Sequence, residues 1–281
     1  MDGATEHVRA LARRVTAAAL ELGPLRGALL AGSGARGDAD FYSDVDLLLY
    51  VDELPPDDRL EILCERLGGT NLVPIAPPHL QQFDVGGVAV QVGYTTVEQI
   101  EAELEAALER LEEIVGSPNQ KMLSGLLEGL PLYGEELIAR WRERAAVYPE
   151  ALRVAAIEHH WRFFPLWFFA EPMALRDSEL WRLDLLLEAA FNLLGVLAAL
   201  NRVYYARFEL KRLRRLVAKL ALAPPELADR LESLFRLPPA EAADELGQLV
   251  VETRELVARE LPELELPLRH PPGTRVQAWS I

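Results

Sequence analysis

The sequence predicts an α+β protein: a small mixed β-sheet with helices, followed by an all-helical bundle. Three observations carry this reading. Apolar runs of strand length alternate with helix-period segments over the first 115 residues, as in an α/β unit. After Thr96 strand signals vanish, and Leu, Ala, Glu and Arg recur at helical spacing to about residue 260. The length, 281 residues, accommodates one large domain or two modest ones. The expected organisation is a sheet-containing domain over 1–115, a helical domain over 116–261 and an extended tail over 262–281.

Taken in order, Thr5 is placed to cap a helix running to Leu22, with Val8, Leu11, Val15, Ala18 and Ala19 on one face and Gly23-Pro24 as the stop. The apolar run 27–31 reads as a strand entering a glycine turn, Gly32-Ser33-Gly34-Ala35-Arg36-Gly37. A second strand spans 45–51, and a helix over 55–67 is closed by Gly68-Gly69. Segments 81–85 and 88–94 flank Gly86-Gly87 as a hairpin. The expectation is helices on one side of this sheet. In the second half, Gly116-Ser117-Pro118, Gly134, Tyr148-Pro149, Glu171-Pro172, Pro224-Pro225 and Pro238-Pro239 mark helix boundaries. The tail from Pro262 is expected to be extended or loosely docked.

Lys and Arg number 29 and Asp and Glu 44, so the formal charge is 29 − 44 = −15. That argues against nucleic acid as a partner, since a phosphate backbone is held by clustered Lys and Arg. The 50% hydrophobic content is that of an ordinary folded chain. A single cysteine, Cys64, excludes an intramolecular disulfide and a cysteine-built zinc cluster, which fits a reducing cytoplasm. Among Leu60, Leu63 and Leu67 it reads as a small buried hydrophobe. Charges interrupt the N-terminal stretch, and no uninterrupted apolar run reaches the ~18 residues of a membrane span, so no membrane partner is expected.

The chemistry concentrates between residues 29 and 49. Side chains on a strand alternate faces, so Asp44 and Asp46 project to one side and can grip the same divalent cation. Eleven residues before Asp44, Ser33 follows Gly32 at the end of a strand, where backbone N–H groups and a hydroxyl can hold phosphate oxygens. A phosphate cradle and a carboxylate pair on adjoining strands make a nucleoside-triphosphate site.

This pattern resembles the G-S-x10-D-x-D signature of the DNA polymerase β-like nucleotidyltransferase superfamily, in the small bacterial branch that includes kanamycin and lincosamide nucleotidyltransferases. The likeness covers roughly residues 27–95: Gly32, Ser33, the ten-residue gap, Asp44, Asp46 and the apolar strands around them. It implies a Mg2+-dependent enzyme that transfers a nucleoside monophosphate, AMP from ATP or the equivalent from another nucleoside triphosphate, to a hydroxyl of a small-molecule acceptor. An antibiotic of aminoglycoside or lincosamide type is one such acceptor, which would make the activity one of antibiotic resistance. Asp44 and Asp46 would be the metal ligands and catalytic pair. Gly32, Ser33, Gly34 and Ser43 would lie at the nucleotide, and Arg36 would neutralise its phosphates.

Family members carry a third carboxylate on a later strand, and the corresponding place here is Gln91, an amide that cannot act as a base. Asp84, across the hairpin turn, is the nearest catalytic substitute, though a turn aspartate facing water is equally expected. The alternative function is a nucleotide-binding regulatory or antitoxin-like protein with weak or lost transfer. A homodimer is left open.

Arg207, Lys211, Arg215 and Lys219 recur every four residues beside Leu210, Leu213, Val217 and Leu220. Such a stripe is either a solvated helix face or a triphosphate-facing one, with Lys211 at the nucleotide. Asn201-Arg202-Val203-Tyr204-Tyr205 resembles a segment of family members and is a candidate acceptor-pocket lining. Arg153 and His159 share the Arg-x4–6-His spacing of HEPN helical ribonucleases, but Val154 stands where those favour a polar residue. A structural histidine packed beside Trp161 and Phe164 is therefore expected.

Overall fold

The computed structural model describes residues 2–76, 79–109, 115 and 119–280. The chain divides into two compact units, Met1–Arg110 with Met122–Val147, and Leu111–Lys121 with Tyr148–Ile281.

The first unit is built on a six-stranded mixed sheet. Its strands are β1 (Gly27–Ala31), β2 (Val45–Val51), β3 (Thr70–Ala76), β4 (Leu80–Val85), β5 (Val88–Thr96) and β6 (Leu130–Tyr133), in the order β3-β4-β5-β2-β1-β6. Only the β2/β5 pair is parallel. Alternation in β2 sends Val45, Leu47, Leu49 and Val51 into a core with Val8, Leu11, Ala12 and Val15 of α1 (Asp2–Leu22) and Leu60 and Leu63 of α3 (Arg59–Arg66). A five-residue helix, α2 (Gly32–Arg36), separates β1 from the loop leading to β2. On the opposite face of β2, Tyr50 meets Trp141 of α6 (Glu135–Ala146) edge to face at 4.8 Å. The Trp141 indole N–H donates to Glu101 Oε1 of α4 (Val97–Glu109). Helices thus cover both faces rather than the one expected, because Tyr50 adds an apolar surface on the polar side of β2.

The second unit is helical. Its core joins α7 (Glu150–His160), α8 (Leu166–Ala174), α9 (Glu179–Leu200) and α12 (Pro239–Glu260), with Leu193, Leu194 and Leu197 of α9 and Leu246, Leu249 and Val250 of α12 fully enclosed. Helix α9 is long and apolar enough to cross a membrane, and 72% of that stretch is buried inside the unit as a core helix. Two short helices, α10 (Leu213–Val217) and α11 (Leu227–Ser233), complete the unit.

Several elements depart from the sequence expectation. Helix α1 starts at Asp2, so Thr5 lies buried inside it rather than capping it. The glycine turn is a helical turn, and the helix expected over 55–67 begins only at Arg59. Strands β3 and β6 were not expected. Residues 122–147 (the body of α5, Asn119–Glu128, then β6 and α6) belong to the first unit, across the expected boundary at 115/116, because β6 pairs with the free side of β1. The junction between β6 and α6 needs Gly134: its φ is +68° and a Cβ would lie 2.1 Å from the Arg26 carbonyl oxygen. The boundary expected at Gly116-Ser117-Pro118 lies outside the described residues.

Pro172 lies inside α8 instead of ending it. A proline lacks the N–H that would bond the carbonyl four residues earlier, here that of Phe168. The tail supplies the replacement, for Val276 N–H donates to Phe168 O at 3.0 Å and Arg275 donates to Trp167 O at 2.7 Å. Trp161 and Trp167 indole N–H groups donate to the Pro267 and His270 carbonyls, and the His270 ring stacks on Phe168 at 4.0 Å. The segment from Pro262 therefore lacks regular structure but is docked through directed bonds.

Of the two histidines His159 and His160, His160 is the structural one, but among other rings than expected. It is buried, its Nδ1 lies 3.3 Å from Asn192 Oδ1, and Phe191 and Tyr205 flank its ring in place of Trp161 and Phe164. Burial holds its pKa down to about 4. Between about pH 6.5 and 4 the unfolded chain takes a proton that folded His160 refuses, so stability is full above that window and lost as pH falls through it. The loss is on the order of 3 kcal/mol. Calorimetric Tm measured against pH is expected to show a steeper acid decline for the natural chain than for His160→Gln; identical profiles would remove His160 as the source.

Candidate functional site

The polar face of β2 carries the site. In the parallel ladder Asp46 stands opposite Gln91, so their side chains share a face. Asp44, one residue before the strand, joins them: Gln91 Nε2 donates to Asp44 Oδ2 at 3.2 Å. On the other side Asp46 pairs with Ala31, the last residue of β1. The next residue, Gly32, bends over the Asp46 carboxylate so closely that a Cβ would lie 2.2 Å from Asp46 Oδ2, and its φ is +66°. Only glycine supplies both that backbone region and that approach. The carboxylate pair and the Gly32-Ser33 segment thus meet at the junction of two neighbouring strands.

Helix α2 is held from its carbonyl end. Arg9 of α1 donates from Nε to Gly34 O and from a terminal nitrogen to Ala35 O, both at 2.8 Å. Gly37, with φ +86°, lets its own N–H and that of Asp38 reach Ser33 O. Gly34 packs so tightly on Val8 that a Cβ would lie 2.4 Å from the valine methyl. The first-turn amides of a helix have no intrahelical acceptor, so those at 32–34 are the ones this arrangement leaves to other partners. Ser33 is buried beside them.

The remaining expected residues are dispersed. Arg36 Nε lies 3.4 Å from Asp38 Oδ1. The Ser43 hydroxyl is part of a tight turn with Asp40: it accepts from Asp40 N–H at 2.9 Å and donates to Asp40 Oδ1 at 3.1 Å. Asp84 shares the face of Gln82 and Gln91 but sits two strands from β2, opposite Ala89, and accepts from Asn71 Nδ2 at 2.7 Å. At about 4.8 Å per strand that puts its backbone roughly 10 Å from the Asp44 row, with β5 between them.

Lys211 lies in a 3-10 helix, Arg207–Arg212, of the second unit. That segment turns every three residues, and α10 follows only from Leu213, so the four-residue basic spacing does not form one continuous α-helical stripe. Arg214, outside the stripe, is the residue that bridges Asp229 and Glu232. Arg9 and the Gly32–Asp46 contact escaped sequence reading. The first is an ordinary helix arginine by pattern, whereas the second was signalled by the glycine itself.

Two carboxylates with phosphate oxygens are a common way for a protein to hold Mg2+, and Asp44 and Asp46 fit that ion. Among the described residues no group of three or more His, Cys, Asp or Glu side chains forms a metal cluster, so an ion here takes the rest of its shell from elsewhere. Scans of protein-family models and of curated proteins return no match to the chain.

The contact over Asp46 makes a direct test. Gly32→Ala is expected to cost about 1–2 kcal/mol from the left-handed backbone alone and, in addition, to push the Asp46 carboxylate out of line. Divalent-ion binding followed by calorimetry is expected to weaken at least tenfold, with the fold retained by circular dichroism. Unchanged ion affinity would show that Gly32 has no part in placing Asp46.

Proposed function

We propose that the first unit is a Mg2+-dependent nucleotidyltransferase site of the DNA polymerase β-like kind, moving AMP from ATP, or the equivalent from another nucleoside triphosphate, to a hydroxyl of a small molecule. The observation that carries this reading is the close packing of Gly32 on Asp46, which joins the Gly-Ser segment to the carboxylate pair at one point. Asp44 and Asp46 would hold the metal, and the amides at 32–34 with the Ser33 hydroxyl would hold the outer phosphates. When bound, Mg2+ offsets the charge that builds on the transferring phosphoryl group. In the transfer the acceptor hydroxyl gives up its proton to solvent water or to a carboxylate, its oxygen bonds to the α-phosphorus, the bond from the α-phosphorus to the bridging oxygen breaks, and pyrophosphate leaves with that oxygen. Arg36, beside Asp38, is near enough in the chain to supplement the phosphate contacts. Aminoglycosides and lincosamides suit the resemblance as acceptors, and an acidic chain suits a cationic one.

A second reading, a nucleotide-binding regulatory or antitoxin-like protein with slow transfer, is favoured by one observation. The residue opposite Asp46 is Gln91, whose amide donates a hydrogen bond to Asp44 and is too weakly basic to take the proton of a hydroxyl.

MgATP is expected to stabilise the protein by about 2.7 kcal/mol at a hundred times its Kd, read as a rise in Tm, and Asp44→Asn with Asp46→Asn is expected to abolish the rise. No change in Tm across millimolar MgATP would refute a nucleotide site. Gln91→Glu separates the two readings. Without metal it sets two carboxylates against each other and lowers Tm; with Mg2+ it is expected to tighten the ion and raise AMP incorporation towards the 10²–10⁴-fold that a general base contributes. A variant with tighter Mg2+ binding but unaltered transfer favours the regulatory reading.

A further inference from the structure

The turn that carries the chain into Asp44 exposes two large aromatic rings. Phe41 is 90% and Tyr42 99% solvent-exposed, the highest values among the large hydrophobic side chains of the described residues. Single exposed apolar residues are commonplace; two adjacent rings, both standing clear of the protein, are a different matter because nothing in the fold uses their surface. The turn beneath them is rigid. Tyr42 N–H donates to Asp40 Oδ1 at 2.9 Å, Ser43 N–H donates to Asp40 O at 3.1 Å, and the Ser43 hydroxyl bonds both Asp40 N–H and Asp40 Oδ1. Ala39 on one side and Val45 on the other have no solvent exposure and pin the ends. The rings are therefore presented by a fixed backbone.

We infer that Phe41 and Tyr42 form the stacking platform for the nucleobase of the bound nucleotide. The inference rests on the nucleotide reading of Asp44, Asp46 and the Gly32-Ser33 segment and deepens it by assigning the base-binding residues. Two further facts support it. Tyr42 and Phe41 precede Asp44 by two and three residues, so their backbones lie within about 7 and 11 Å of the backbone of Asp44, a residue that would hold the phosphate-bound ion. The rest of the turn is polar and acidic, with Asp38, Asp40, Ser43 and Asp44 around two rings. Such a surface lacks the broad apolar area of a protein interface, but it suits a flat, uncharged purine, since base–aromatic stacking needs only an exposed ring face. Stacking tolerates any base, so the platform would add affinity without fixing which nucleoside triphosphate binds.

Titrate the full chain and the double variant Phe41→Ala/Tyr42→Ala with MgATP and, separately, with magnesium tripolyphosphate, which has the phosphates and no base. Both residues are exposed, so the fold is expected to survive, checked by circular dichroism. The expected result is MgATP affinity lowered roughly 5- to 100-fold in the double variant, with tripolyphosphate affinity unchanged and with ATP affinity restored by Phe41→Trp/Tyr42→Trp. Equal MgATP affinity in the natural chain and the double variant overturns the platform and leaves the nucleotide site standing. Binding of neither ligand by the natural chain overturns the nucleotide reading and the platform with it. A change in oligomeric state in the double variant, with ATP affinity untouched, assigns the rings to an interface between copies and likewise overturns the proposal.

Discussion

The alternation of strand β2 governs the first unit. Val45, Leu47, Leu49 and Val51 are buried against α1 and α3, and removing that apolar area from water is worth on the order of 1.5–3 kcal/mol for each large side chain. Slipping the strand by one residue would take all four out of this core and turn Asp46 into it. The hydrophobic face thus fixes the polar face: Asp46 must look away from the core, opposite Gln91 on one neighbour and Ala31 on the other. The site is a consequence of the core.

That register alone would bring two carboxylates near a strand end. What brings the Gly32-Ser33 segment over them is the chain reversal at Gly32. Because Gly32 adopts a left-handed conformation over Asp46, the backbone after β1 returns as a helical turn above the carboxylates instead of running off the sheet. Arg9 secures that turn from the carbonyl side with two charge-assisted bonds, each worth more than a neutral one. A helix of the hydrophobic core therefore also supports the Gly32–Arg36 turn beside the carboxylates.

The same compensation recurs in the second unit. Pro172 removes a donor from α8, and the tail restores it through Val276. A segment without regular structure thereby acquires a defined place by supplying the donor that the Phe168 carbonyl loses to Pro172. His160 shows the opposite outcome: a titratable ring enclosed by Phe191, Tyr205 and Asn192 serves packing and stays neutral.

Local pattern was enough for much of this. The bounds of β1 and β2, the β4–β5 hairpin around Gly86-Gly87, the helical second half and the placing of Gly32 and Ser33 before the Asp44 and Asp46 pair follow from periodicity, glycine turns and residue spacing, because each of those signals is local; Gln91 stands out only through the family resemblance. Strand β3, largely exposed and interrupted by Pro74, and the four-residue β6 with Pro131 have no such signal. They are strands because a neighbour offers unpaired N–H and C=O groups, a fact located elsewhere in the chain. For the same reason residues 122–147 look like part of the helical half until β6 finds β1. Asp84 is a candidate base by sequence; the structure sets it two strands from β2, on the face of Gln91 and bonded to Asn71. The sequence by itself determined which faces are apolar and which residues carry charge at the turn. Only the tertiary structure decided which of those charges meet, because a meeting depends on strand register and chain reversal, and both are set by contacts that no local window contains.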